Sequence, residues 1–218
     1  MDSTILLFLL QDGITSGAIY ALLGLALVLV FAVTRVILIP QGEFVTFGAL
    51  TYATLAAGKV PGTTLLALGM GVIAFAFDMI AGRNAMTARK AVRSLAVNIL
   101  LPLAIWGAAT ALAGQQNGVA VNFILSIVIV APIGLYLYRI AYQPIAHASV
   151  LVLLIASVGI HLALQGLGLA FFGAEGLRGP AISAAALTIG PLRFTGQSLG
   201  IYAITILLIV GLWLLFGY

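Results

Sequence analysis

Six times along this chain about twenty successive residues are almost all apolar: Ile14–Val33, Thr64–Ile80, Leu95–Ala113, Val119–Tyr138, Val150–Phe172 and Leu199–Tyr218. A helix of ~20 apolar residues crosses a hydrocarbon layer ~30 Å thick. The runs are continuous, without the apolar/polar alternation of barrel strands, so helices are expected. Composition agrees: 63% of the residues are hydrophobic and 6% charged, against roughly 25% charged in a soluble chain. So little charge cannot cover a water-facing surface. The expected fold is all-α, a polytopic integral membrane protein of about seven transmembrane or half-spanning helices. The seventh, Phe44–Ala57, is shorter and contains glycine, which fits a tilted, half-buried or re-entrant helix. Ile5–Leu10 is too short to span and leads into the first helix. No internal repeat, low-complexity tract or linker divides residues 1–218, which read as a single transmembrane domain.

Much chemistry is missing from the sequence. There is no cysteine, hence no disulfide, thiolate zinc site, Cys-ligated cluster or cysteine nucleophile. Neither Lys59 nor Lys90 lies in a phosphate-binding G-x-x-x-x-G-K-[ST] loop, so no nucleotide-hydrolysing site can be read. His147 and His161 lie on different segments, there is no H-E-x-x-H motif, and the five acids form no catalytic pair. No enzyme activity, metal site or cofactor is expected. The net charge of +4 is topology information rather than a nucleic-acid footprint.

The densest basic stretch is Arg83, Arg89, Lys90 and Arg93. With it in the cytoplasm, parity assigns Arg139 to the inside and Arg178 and Arg193 to the outside, and, if Phe44–Ala57 crosses, Lys59 to the outside and Arg35 to the inside. The N-terminus, with Asp2 and Asp12, is then outside, and its acidic start leads us to expect no cleaved leader. Anionic lipid heads are a natural second contact for the basic stretch. Gly173–Gly196 is the one long connection, either a cap over neighbouring helices or a docking face.

A small-residue spacing, Gly13, Gly17 and Gly24, suits close helix packing in lipid. Pro40-Gln41-Gly42-Glu43 then breaks the backbone between two apolar segments. Glu43 either complements the positive end of the next helix or, with Gln41 and Gly42, lines a polar break facing a pathway. His161 and Gln165 are four apart on one helix face, for helix-to-helix hydrogen bonding or the same pathway. Asp78 with Arg83 reads as an interfacial pair, and Asn98 and Asn122 as bonds between helices.

Two blocks resemble the permease subunits of high-affinity branched-chain amino-acid ABC transporters. In the first, Gly17, Tyr20-Ala21-Leu22, Gly42-Glu43 and Gly48-Ala49 match the family's signature in register. Where the family has Asn-Phe-Ala-His before its Gly-Glu, this chain has Leu38-Ile39-Pro40-Gln41. The second block runs from Ala141-Tyr142-Gln143-Pro144 through Leu153–Ile160 and Gln165 to Phe172-Gly173. The resemblance implies a subunit of the cell inner membrane that hydrolyses nothing itself. Its implied partners are ABC ATPase subunits, a second permease subunit and a periplasmic amino-acid-binding protein. Family members continue beyond the position of Tyr218 into a segment that contacts the ATPase, so the resemblance also implies a C-terminally shortened permease. Alternatives are a urea or short-amide permease of the same superfamily, a stand-alone channel or secondary transporter, and a scaffold subunit without a pathway.

The topology has a direct check. A cysteine introduced by Ala88→Cys should be inaccessible to an impermeant maleimide in intact cells and labelled after permeabilisation. Labelling from outside would invert every loop assignment.

Overall fold

A computed structural model describes residues 3–81, 87–115, 117–183, 185–190 and 192–216. Among these, six helices are long and apolar enough to cross a membrane: Ile5–Thr34, Thr63–Ile80, Ala88–Leu112, Val119–Ile145, Val150–Phe172 and Gly196–Leu214. Each coincides with or overlaps a run read from the sequence. The chain is an all-α, multi-pass membrane protein with one small hairpin. The chain elements are α1 (Ser3–Thr34), α2 (Gln41–Ala56), α3 (Thr63–Ala81), α4 (Ala88–Leu95), α5 (Leu101–Leu112), α6 (Val119–Leu137), α7 (Val150–Phe172), β1 (Ala186–Ile189), β2 (Leu192–Thr195) and α8 (Gly196–Phe216).

Although no linker is visible in the sequence, the chain divides into two compact units. One comprises residues 1–35 and 181–218, the other residues 36–180.

In the first unit α1 takes up Ile5–Leu10 without a break. It is joined to α8 by Thr15 Oγ1 and the Tyr202 hydroxyl, 2.5 Å apart. The Gln11 side-chain amide donates to the carbonyl of Arg193 at 2.8 Å, tying α1 to β2. Gly13, Gly17 and Gly24 seat no helix of this unit: a Cβ added at any of them would meet nothing within 4 Å. The described side-chain bond between α1 and α8 is that of Thr15 with Tyr202. The hairpin was not anticipated within Gly173–Gly196. β1 and β2 pair antiparallel with Ile189 opposite Leu192, and Gly190 at the turn has φ +61°. A Gly-Pro step between two short apolar runs is a turn signal, so the hairpin was legible there.

The second unit holds the buried core. Phe47 of α2, Leu66 and Ala67 of α3, Val130, Ile133 and Leu137 of α6, and Leu153 and Leu164 of α7 form one cluster. Leu55, Ile105, Ala109, Leu125 and Ile129 form a second. α2 ends at Gly58 (φ +72°), whose N–H bonds the carbonyl of Leu55, while the N–H of Lys59 reaches that of Thr54. This paired closure satisfies carbonyls that the helix end would otherwise leave bare, and the positive φ explains the glycine. The α2–α3 connection is fastened by Thr51 and Thr63, both fully buried, with hydroxyls 2.7 Å apart.

Two spans are locally underwound. Five-residue π-helical turns occupy Ala96–Leu100, joining α4 to α5, and Tyr138–Tyr142, extending α6. The first has a cause in the sequence. Pro102 has no N–H to offer the carbonyl of Asn98 four residues earlier, so regular α-helical bonding cannot continue there. That carbonyl is directed at Gly71 of α3, where a Cβ would collide with it. Only glycine admits this approach of two helices. The basic stretch, expected as a connection, is helical from Ala88, because Ala-Arg-Lys-Ala-Val-Arg-Ser-Leu contains good helix formers and no breaker. Arg83 lies outside the described residues.

Gly71→Ala should lower stability by about 1–3 kcal/mol, the usual range for overpacking, read as a reduced Tm in detergent. Gly69→Ala, where a Cβ has open space, is the control and should leave Tm nearly unchanged.

Candidate functional site

The backbone break at 35–40 leads into α2, and neighbouring residues fix its depth. Glu43 of α2 lies against His161, the twelfth of 23 residues in α7. Phe44 packs on Gly134, near the middle of Val119–Ile145. Further along α2, Phe47 meets Gly168 and the ring of Phe172, whose centroid is 6.4 Å away. The Tyr52 hydroxyl then donates to the carbonyl of Pro180 at 3.1 Å. α2 therefore starts at mid-depth of the spanning helices and runs parallel to the second half of α7. Its 16 residues cover about 24 Å at ~1.5 Å each, too little for a full span and enough for a half span. Of the three geometries open for Phe44–Ala57, this is the half-buried one.

Irregular backbone at membrane depth is tolerated only where protein covers it or water reaches it. Here Val36 is 4% exposed and Pro40 fully buried. No side chain caps the N-terminus of α2. Gly42 there is exposed, and a Cβ on it would have nothing within 4 Å. The start of the half-helix thus faces open space within its unit, with the positive end of its dipole at mid-membrane.

Beside it stands a line of three polar side chains. Glu43 Oε1 is 3.2 Å from His161 Nδ1, and His161 Nε2 is 3.2 Å from the Gln165 side-chain nitrogen. Glu43 and His161 meet at an angle poor for a hydrogen bond, which makes this an electrostatic contact. The Gln165 side-chain nitrogen thus supports the imidazole from the side away from Glu43. The Glu43 side chain is 12% exposed and that of His161 29%. Of the five pathway residues named from the sequence, the fold joins Glu43, His161 and Gln165 across α2 and α7. Gln41 and Gly42 remain beside them on the first turn of α2.

A second polar cluster was only partly foreseen. Asp78 Oδ2 accepts from Ser94 Oγ at 2.6 Å and from the Asn98 amide at 2.9 Å. The Asn98 amide also donates to Ser94 Oγ at 3.0 Å, and Asn98 Oδ1 accepts from Arg139 at 2.9 Å. The Arg139 guanidinium stands 3.7 Å from Asp78. Asn98 is completely buried, and both π-helical turns feed this cluster, one carrying Asn98 and the other Arg139. Asn98 bonds neighbouring helices as expected. The described charged partner of Asp78 is Arg139, sixty-one positions away; Arg83, the partner expected from the sequence, lies outside the described residues. Asn122 is buried, but its Oδ1 meets no donor among the described residues. Among those residues no group of three or more His, Cys, Asp or Glu converges to hold a metal ion.

Asn98→Ala should cost roughly 1.5–3 kcal/mol, because it removes hydrogen bonds to charged groups. The Tm of this variant in detergent measures the loss. Ser94→Ala, which leaves the Asn98 bridge standing, should cost less.

No family model, no curated protein and no solved structure matches this chain.

Proposed function

We propose that this chain is a pathway subunit of an importer for branched-chain amino acids, driven by separate ATPase subunits. The observation that carries the reading is the half-helix that begins at mid-membrane, with Glu43 held against His161 at its first turn. Interrupted helices at mid-depth are where many transporters bind their cargo, with helix N-termini directed at anionic groups and alternating access around the site. An amino-acid zwitterion carries one charge of each sign. The uncapped start of α2 suits its carboxylate, and Glu43 suits its ammonium group. A neutral urea or amide would make no use of the Glu43 charge, which favours the amino acid among related cargoes. A stand-alone secondary transporter would need its own coupling-ion site, and among the described residues no group of three or more His, Cys, Asp or Glu converges to offer one.

The same reading sets the chain in the cell inner membrane with its N-terminus outside, working with a second permease subunit and a periplasmic binding protein. The sequence motifs Tyr20-Ala21-Leu22, Gly42-Glu43 and Ala141-Tyr142-Gln143-Pro144 support it.

The test has two parts. The tagged chain, extracted in mild detergent, should co-purify with an ATPase. In the assembled transporter, Glu43→Ala should lower uptake at least about tenfold, as expected for one charge-assisted contact worth ~1.5 kcal/mol or more, with membrane insertion unchanged. Unaltered uptake would return Glu43 to a helix-capping role.

A further inference from the structure

We propose that α4 is a binding face for the headgroups of anionic phospholipids. The helix has three sectors. Ser94 is buried and, with Asn98 one turn later, faces Asp78. Val92 and Leu95 are apolar and exposed, at 65% and 41%. Arg89 and Arg93, one turn apart, and Lys90 beside them are exposed between these two faces. At ~100° per residue the basic side chains share one narrow sector, and the apolar pair shares another.

The level of α4 in the membrane follows from its continuity with α5. Ala88–Leu112 forms one rod of 25 residues, about 37 Å long at ~1.5 Å per residue. That exceeds the ~30 Å hydrocarbon layer. All three charges of the rod lie at the α4 end, so the excess length emerges there, among headgroups. Val92 and Leu95 then contact acyl chains, while the stems of Arg89 and Arg93 run outward along them to the phosphate level.

The charge on this face is uncompensated. Among the described residues no carboxylate pairs with Arg89, Lys90 or Arg93. No acid occupies the first turn of α4, and the Thr87 side chain does not cap it. Arg89 and Lys90, in the first turn, are repelled by the positive end of the helix, and an anion relieves both. Arg139, by contrast, is engaged with Asp78 and Asn98. A lipid phosphate fits better than an acidic protein surface because Val92 and Leu95 adjoin the charges and need an acyl partner.

The full chain is reconstituted in nanodiscs containing phosphatidylcholine and phosphatidylglycerol, and the lipids that remain bound on detergent extraction are counted by native mass spectrometry. The wild type should retain phosphatidylglycerol preferentially. The R89Q/K90Q/R93Q variant should lose ~100-fold of that preference, taking ~1 kcal/mol per basic residue and tenfold per 1.4 kcal/mol. R89K/R93K should keep it. Raising salt should weaken the wild-type preference through screening, a readout independent of how any variant folds. Undiminished enrichment in the triple variant, or a wild-type preference indifferent to salt, would overturn the proposal and leave the basic face to an acidic protein partner or to topology alone.

Discussion

Hydrocarbon offers no hydrogen bonds, so every polar group carried into it has to find its partner within the protein. The larger unit is organised around that requirement. Two sets of acidic, amide and basic side chains show it, while Asn122 Oδ1 meets no donor among the described residues. Asp78 is met by Ser94, Asn98 and Arg139, and Glu43 is met by His161, which Gln165 supports in turn. Each set joins different helices. Because apolar surfaces gain little by leaving lipid for one another, such contacts together with close packing hold the helices in register.

The two π-helical turns belong to the same account. Pro102 prevents the ordinary bond to the carbonyl of Asn98, the helix unwinds into a π turn, and the side chain of Asn98 comes to lie between Asp78 and Arg139. Gly71 is the complement in α3, since only a residue without Cβ admits the Asn98 carbonyl. One proline, one glycine and one asparagine thus specify a single interlock. None of them is charged, and each is replaceable in isolation only at the expense of the other two.

The half-helix is a different use of the same rule. Starting α2 only at Gln41 leaves residues 36–40 as irregular backbone ahead of it. Burial of Val36 and Pro40 protects part of this stretch. Gly42 on the first turn of α2 stands exposed. A membrane protein without a pathway would have little reason to keep such a break, and in the proposed importer it is the natural meeting point of cargo and protein.

Spans, their number and the class of fold were legible in the chain because continuous apolar length is a local property. So were the breaks at Pro40–Gly42 and at Gly190, where the residue type itself dictates the backbone, although the hairpin that Gly190 turns was overlooked. The one-face pairing of His161 with Gln165 followed from helical spacing alone. Which helix stands beside which is not local. Arg139 reaches Asp78 across sixty-one positions, and Glu43 reaches His161 across more than a hundred. No periodicity reports such pairings. Nor does any spacing in α1 foretell the bond of Thr15 to Tyr202 in α8. Apolar length and helix-breaking residues determined what this chain forms. Which polar groups meet was decided only by tertiary structure, because in lipid each of them takes whatever partner the packed helices bring within reach.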